Sequence, residues 1–318
     1  MTYNFDPELR PFLELLPARP AGDVPVDMAT VRAYATQMTA AINATADVSA
    51  LSVEDHVVTG AHDAPDVPVR VYAPASLDTT VAAILYIHGG GFTVGSVDME
   101  HFNAVRLANE LGVVVVSVEY RLAPEDPYPA ALDDCYAALQ WVHNEAAQLG
   151  IDAARVAVVG NSAGGGLGAG LALLARDRGG PPICFQFLGI PELDDRLETP
   201  SMQAFVDTPM WSRPSAEASW RAYLGTLHGG AVPPYAAPAR ATDLFGLPPA
   251  YVSTMEYDPL RDEGILYALR MLQSAVDVEL HSFPRTFHGS TAMTTAAVTQ
   301  RQLAEMVVVL RSALGADG

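Results

Sequence analysis

Val156-Ala-Val-Val-Gly-Asn-Ser-Ala-Gly164 is the stretch on which the reading of this chain turns. Its first four residues are apolar and largely β-branched, the kind of short run that is buried on both faces in a parallel sheet. Gly160-Asn-Ser-Ala-Gly164 then fits G-x-S-x-G, a serine on a sharp strand-to-helix turn whose backbone bends too tightly for large neighbours. Ala163 to Arg178, dense in Gly, Ala and Leu, reads as the helix leaving that turn. Chance alone supplies the five-residue pattern in about one chain in ten of this length, so the flanking strand and helix carry the weight. The rival reading is a glycine-rich turn with a capping serine.

Outward from this point the chain keeps one rhythm. Val81 to Ile87 and Val113 to Val118 are similar apolar runs upstream, and Cys184 to Leu188, Ala250 to Thr254 and Val278 to Phe283 continue the series downstream. Helical segments lie between them: His101 to Leu111, Ala130 to Leu149, Ala163 to Arg178 and Arg261 to Ala275. Strands alternating with helices predict an α/β fold with a mainly parallel, doubly wound sheet. Leu51 to Thr59 and Val67 to Tyr72 alternate and read as an antiparallel hairpin before it. Residues 1–50 are helical in pattern, broken by Pro17, Pro20 and Pro25, with a helix expected over Asp27 to Asn43. Leu193 to Tyr235 shows no strand but holds Trp211, Trp220, Tyr223 and several prolines. Aromatic residues this dense usually bury something. The expected division is an N-terminal helical cap segment (1–50), a first core part (51–192), a cap insert (193–235) and a second core part (236–318).

Half of the 318 residues are hydrophobic, which excludes a disordered chain and provides for a sizeable core. Lys and Arg number 18 against 37 Asp and Glu, a formal charge of −19. Such a surface repels nucleic acid and anionic membrane, so neither is expected as a partner. Cys135 and Cys184 stand in no CxxC pair and near no His pair, which speaks against zinc; both are expected to pack as small hydrophobes. The first residues, with Asp6 and Glu8 ahead of any apolar run, do not have the pattern of a secretory signal. No stretch has the apolar length to span a bilayer. A soluble, cytoplasmic protein is the expectation.

Chemistry enters with His88-Gly-Gly-Gly-Phe92, directly after the strand ending at Ile87. Three consecutive glycines let backbone N–H groups turn inward toward a negatively charged oxygen. A chance match occurs in about two chains per thousand. A phosphate-binding turn is the alternative, but no G-K-[ST] or G-x-G-x-x-G pattern accompanies it. The loop is therefore read as an oxyanion hole, with N–H donors from Gly90, Gly91 and Ala163. His88 itself is expected to hold the loop in shape. A nucleophilic serine, Ser162, needs a base, and the base an orienting carboxylate; in this chain order the acid precedes the histidine. His288, after the strand ending at Phe283, is the base candidate. Asp258 is the acid candidate, with Glu256, two residues earlier at the same strand end, in competition. His281 lies within its strand, and Asp262 and Glu263 fall where a helix begins and acids favour its dipole.

With these pieces in place the chain resembles the bacterial hormone-sensitive-lipase-like esterases of the α/β-hydrolase superfamily. The matching segments are His88-Gly-Gly-Gly-Phe92, Tyr120-Arg-Leu-Ala-Pro-Glu125, Pro129-Ala-Ala-Leu-Asp-Asp134, Gly160-Asn-Ser-Ala-Gly-Gly165, Asp258-Pro-Leu-Arg-Asp-Glu263 and Phe287-His-Gly289. The resemblance implies an α/β-hydrolase fold with a helical cap and a Ser162–Asp258–His288 triad. It also implies hydrolysis of short- to medium-chain acyl esters of small molecules without metal or cofactor, often by a homodimer. Two positions depart from the family pattern: Asn161 stands where Asp or Thr is usual, and Ser290 where an aromatic or apolar residue is frequent. The same parts would serve a lactone, amide or carbamate hydrolase. A catalytically inactive ligand-binding protein, as among plant gibberellin receptors, would lack the histidine found here. An interfacial lipase would need an apolar surface that the sequence does not display.

Overall fold

The structure is a computed structural model and describes residues 3–16, 27–61 and 64–316. Pro17, Pro20 and Pro25, read as helix breaks, lie outside the described residues. Among the described residues one sheet of eight strands forms the frame, in the order β1-β2-β4-β3-β5-β6-β7-β8. The strands are β1 (Leu51–Val58), β2 (Val67–Pro74), β3 (Val81–Ile87), β4 (Val114–Val118), β5 (Ile151–Asn161), β6 (Phe185–Gly189), β7 (Ala250–Tyr257) and β8 (Val278–Phe287). The expected hairpin is present: β1 pairs antiparallel with β2, and β2 antiparallel with β4. From β4 through β3 to β8 every pairing is parallel.

Helices cover both faces: α1 (Arg10–Leu15), α2 (Met28–Asn43), α3 (His101–Leu111), α4 (Ala130–Asn144), α5 (Ala163–Arg178), α6 (Pro200–Ala204), α7 (Arg213–Leu224), α8 (Arg261–Gln273) and α9 (Ala297–Leu314). The period-two alternation of a strand divides the core. Ala82, Ile84 and Tyr86 pack with Val105 and Leu107 of α3 and Val307 and Leu310 of α9. Ala83, Leu85 and Ile87 face the other way, toward Leu132 and Leu139 of α4 and Leu167 and Leu171 of α5. This is the doubly wound arrangement that the alternating runs predict. Cys135 is buried in that second core, Cys184 is half-covered beside the first, and both are free thiols.

Several boundaries moved. The helix expected to reach Leu149 ends at Asn144, and β5 begins at Ile151, ahead of the apolar run. The strand expected to stop at Phe283 continues through Pro284 to Phe287. Proline is tolerated there because β8 lies at the sheet edge. Between residues 193 and 235 the chain forms α6, α7 and a short 3-10 turn and no strand among its described residues.

Strand register is what brings the functional loops together. Ile87 pairs with Gly160, so the loop after β3 and the turn after β5 leave the sheet side by side. Tyr257 pairs with Phe287, so the next residues, Asp258 and His288, emerge as neighbours. All four departures are at the C-terminal ends of parallel strands, the edge where doubly wound sheets bind ligands.

Candidate active site

Ser162 sits between β5 and α5 with φ 57° and ψ −124°, a backbone conformation costly for a residue with a side chain. The surroundings hold it there. Its N–H donates to the Gly189 carbonyl at 2.8 Å, and its own carbonyl accepts from the N–H groups of Gly166 at 3.0 Å and Glu192 at 3.1 Å. The Ser162 hydroxyl makes no capping bond to α5, so the capping alternative is not what the side chain does. Instead Oγ lies 3.0 Å from His288 Nε2.

The other ring nitrogen of His288, Nδ1, is 2.7 Å from Asp258 Oδ2, and Asp258 Oδ1 accepts from the Leu260 N–H at 2.9 Å. Asp258 is fully buried, and Ser162 and His288 are each only 7% exposed. With Nδ1–H donating to the carboxylate, Nε2 is left as the acceptor facing the serine hydroxyl, the arrangement that lets an imidazole remove its proton. Glu256 faces elsewhere: its Oε2 accepts from the Arg285 N–H at 2.6 Å. His281 pairs instead with Glu305 of α9 at 2.7 Å. Asp262 and Glu263 do stand in the first turn of α8, yet their carboxylates reach outward, to the N–H groups of Ser201 at 2.7 Å and Leu193 at 2.6 Å.

The glycine loop is oriented through its carbonyls. In a trans peptide the C=O and the following N–H point in opposite directions. His88 Nδ1 lies 2.9 Å from the Gly89 carbonyl, which turns the Gly90 N–H the other way. The Gly90 carbonyl accepts from Thr93 at 3.2 Å and Val94 at 3.0 Å, which does the same for the Gly91 N–H. The Ala163 N–H belongs to the first turn of α5, where helix donors lack internal partners. Among the described residues none of these three N–H groups donates to a loop or turn carbonyl. His88 is buried flat against Tyr120, ring centroids 3.9 Å apart, and accepts the Tyr120 hydroxyl on its carbonyl at 2.9 Å. Burial lowers its pKa to about 4, so it is a neutral strut. The ring of Trp211 closes over the site, 5.6 Å from that of His288. Two surface clefts of about 300 and 600 Å³ lie elsewhere and include none of these residues.

A family model described as the alpha/beta hydrolase fold matches residues 84–292. The chain belongs to this family. Carboxylesterase NlhH of Mycobacterium tuberculosis is 43% identical over 244 residues, 75% of either chain. Ethyl acetate hydrolase of Pseudomonas putida is 34% identical over 302 residues, 91% of this chain and 93% of the other. Among solved structures, one titled Bacterial Heroin Esterase is 50% identical, covers 98% of both chains and superposes with a TM-score of 0.92. The resemblance to hormone-sensitive-lipase-like esterases, read above from short motifs, therefore extends over the whole fold.

As a member of the α/β-hydrolase family, the chain shows why its motifs travel together. Arg121 of the Tyr120 motif forms a paired bond with Asp134 of the Pro129 motif, at 2.7 and 2.9 Å, holding the segment that carries Tyr120 beneath His88. The departure at Asn161 has a local cause. The hydroxyl of Tyr86 spends its one proton on Glu100, 2.9 Å away, and Asn161 faces the remaining lone pairs. An amide can donate there and a carboxylate cannot. Ser290 is buried and donates to the Met255 sulfur at 3.4 Å, away from the reacting groups. Two side chains at the site carry no signal in the sequence, Glu192 and Ser219. In the sequence Trp211 stands out only as part of an aromatic-rich insert.

Proposed function

We propose that the protein hydrolyses short- to medium-chain acyl esters of small molecules through a covalent acyl-enzyme, with Ser162 as nucleophile. One observation carries the reading: an unbroken line from Asp258 through His288 to Ser162, at 2.7 and 3.0 Å, beside a glycine loop with inward N–H groups. Ser162 Oγ attacks the ester carbonyl carbon while His288 Nε2 takes its proton. The carbonyl oxygen, now negative, rests on the N–H groups of Gly90, Gly91 and Ala163, each donor being worth about 3–4 kcal/mol in sites of this kind. His288 returns the proton to the leaving alcohol as the C–O bond breaks. Water then gives its proton to His288 and attacks the acyl carbon, Ser162 leaves reprotonated, and the acid is released. Asp258 keeps the imidazole in the tautomer that both steps require.

A short acyl group is favoured by the room available. A methyl group added at Gly91 would meet the Trp211 ring at 2.5 Å, so that ring lies directly over the loop. The names carboxylesterase, ethyl acetate hydrolase and heroin esterase among the relatives support the ester class. We further read residues 193–235 with the N-terminal segment as a cap. Phe5 packs on Phe287 and Tyr257, the residues just before His288 and Asp258, and Arg32 of α2 donates to the Thr93 carbonyl behind the glycine loop at 2.8 Å. The test is Ser162→Ala with p-nitrophenyl acetate: turnover is expected to vanish, and wild-type turnover in that variant refutes the assignment.

A further inference from the structure

Glu192 is buried without trace of exposure in the turn after β6, and neither of its carboxyl oxygens receives a hydrogen bond from the described residues. Its backbone N–H is one of the two donors that hold the Ser162 carbonyl. The Ser219 hydroxyl of α7 lies beside that side chain without a hydrogen bond between the two. Ser219, however, gives its proton to the Gly91 carbonyl at 3.0 Å. Phe92, the residue after Gly91, has a φ of 58°, costly for a residue with a side chain, so this corner of the loop is strained and needs holding. Part of the hold is the stack of Phe92 on Tyr223 of the same helix, centroids 4.0 Å apart. The rest is the bond from Ser219.

We propose that Glu192 is a positioning residue for the oxyanion loop, acting through Ser219 on the Gly91 peptide. A serine hydroxyl has one proton to give. When Glu192 is an acid, its O–H donates to Ser219 Oγ, and Ser219 is free to donate onward to Gly91. When Glu192 is a carboxylate it can only accept, so it competes with the Gly91 carbonyl for the Ser219 proton and the loop loses its anchor. Among the described residues, the titratable groups whose charge couples to Glu192 include Asp258 from the turn after β7, Glu263 from α8 and Tyr223 from α7, all of them acids. Burial raises its pKa to about 8, with the neighbouring Ser219 hydroxyl pulling the other way and the Asp258 charge adding to the rise. The acid form, and with it the anchored loop, prevails at neutral pH and gives way on the alkaline side.

This inference rests on the reading of Ser162 and the glycine loop as the esterase site. The test is the pH dependence of kcat with p-nitrophenyl acetate for the wild type, Glu192→Gln, Glu192→Ala, Ser219→Ala and Ser162→Ala. The wild type is expected to lose activity as pH rises through about 8. Glu192→Gln, whose amide donates to Ser219 at every pH, is expected to lack that alkaline fall. Glu192→Ala and Ser219→Ala are expected to lower kcat on the order of tenfold to a hundredfold with little change in KM, as a misplaced loop would. An alkaline fall that persists unchanged in Glu192→Gln, or wild-type kcat in Ser219→Ala, overturns the inference. Ser219→Ala approaches the same chain of bonds from its other end, should Glu192→Gln fail to fold. Turnover in Ser162→Ala sinks the esterase site and this inference together. An inactive Ser162→Ala beside an unaltered alkaline fall in Glu192→Gln sinks the inference alone.

Discussion

Gly164→Ala asks whether the two halves of the site depend on their close approach. A Cβ at position 164 would lie 2.1 Å from the Ile87 carbonyl oxygen and 2.5 Å from that of His88, against the 3.0 Å below which real Cβ contacts are essentially never found. The first turn of α5 and the end of β3 must therefore part by about 1 Å, the shortfall between 2.1 and 3.0 Å. Both obstructing atoms are backbone, so no rotamer change relieves the contact. The parts that separate are the two that have to cooperate: Ser162 and Ala163 travel with α5, while Gly90 and Gly91 follow His88. An error of 1 Å in such a site costs on the order of a hundredfold in rate, and the overpacking itself costs about 1–3 kcal/mol of stability. The assay is kcat and KM with p-nitrophenyl acetate, alongside thermal unfolding. Gly230→Ala serves as the control, because its Cβ would meet only the Leu227 carbonyl at 3.4 Å. A folded Gly164→Ala with kcat within about threefold of wild type would refute the reasoning.

Other substitutions separate the remaining assignments. Asp258→Asn is expected to lower kcat by about 10⁴, the cost of holding the wrong imidazole tautomer, whereas Glu256→Gln disturbs only the bond to the Arg285 N–H; the reverse ranking would make Glu256 the acid. Asn161→Asp sets a carboxylate against the lone pairs of Tyr86 and should cost about 1–3 kcal/mol of stability at neutral pH, and urea unfolding that shows no loss would discard that account of Asn161. Trp211→Ala opens the space over Gly91 and should raise the ratio of kcat/KM for octanoate over acetate esters; an unchanged ratio removes Trp211 from the acyl pocket. Glu192 also leaves a mark on stability. Unfolded, its carboxyl releases its proton near 4.5, but folded it keeps it to about 8, so stability falls as pH rises across that window, by up to about 5 kcal/mol. Glu192→Gln should remove this part of the slope, and parallel urea midpoints for the two proteins between pH 5 and pH 8.5 would contradict the shifted proton.

What could be read in the sequence was whatever local geometry imposes on residue type. The glycines of the loop and the elbow were legible because they stand where a backbone must turn or two chains must touch. The parallel runs were legible because they are buried on both faces. Helix α9 was not anticipated; it starts at Ala297, and its N-cap residue, Ala296, offers no side-chain cap to announce it. The choice between Asp258 and Glu256 could not be made from alternation, which would send both the same way along a regular strand. The register slips between Met255 and Tyr257, and Asp258 lies beyond the last pair, so the two acids part company. The strand expected to end at Phe283 runs on through Pro284; a proline is costly inside a sheet, and only the order of strands reveals that β8 is an edge.

Glu192 marks the limit of such reading. It is one of 37 acidic residues in a chain whose charge says little beyond repulsion of other anions, and nothing in its local pattern separates it from a solvated loop acid. Its distinction comes from three segments remote in sequence. The turn after β6 withdraws it from water, α7 sets Ser219 beside it, and the turn after β7 adds the Asp258 charge. Together they decide which partner receives a single hydroxyl proton, and through it whether the Gly91 peptide beside the strained Phe92 stays in place. A carboxyl that in water would be one more solubilising charge thus becomes, by burial and by the neighbours the fold sets around it, a group whose protonation the glycine loop can feel.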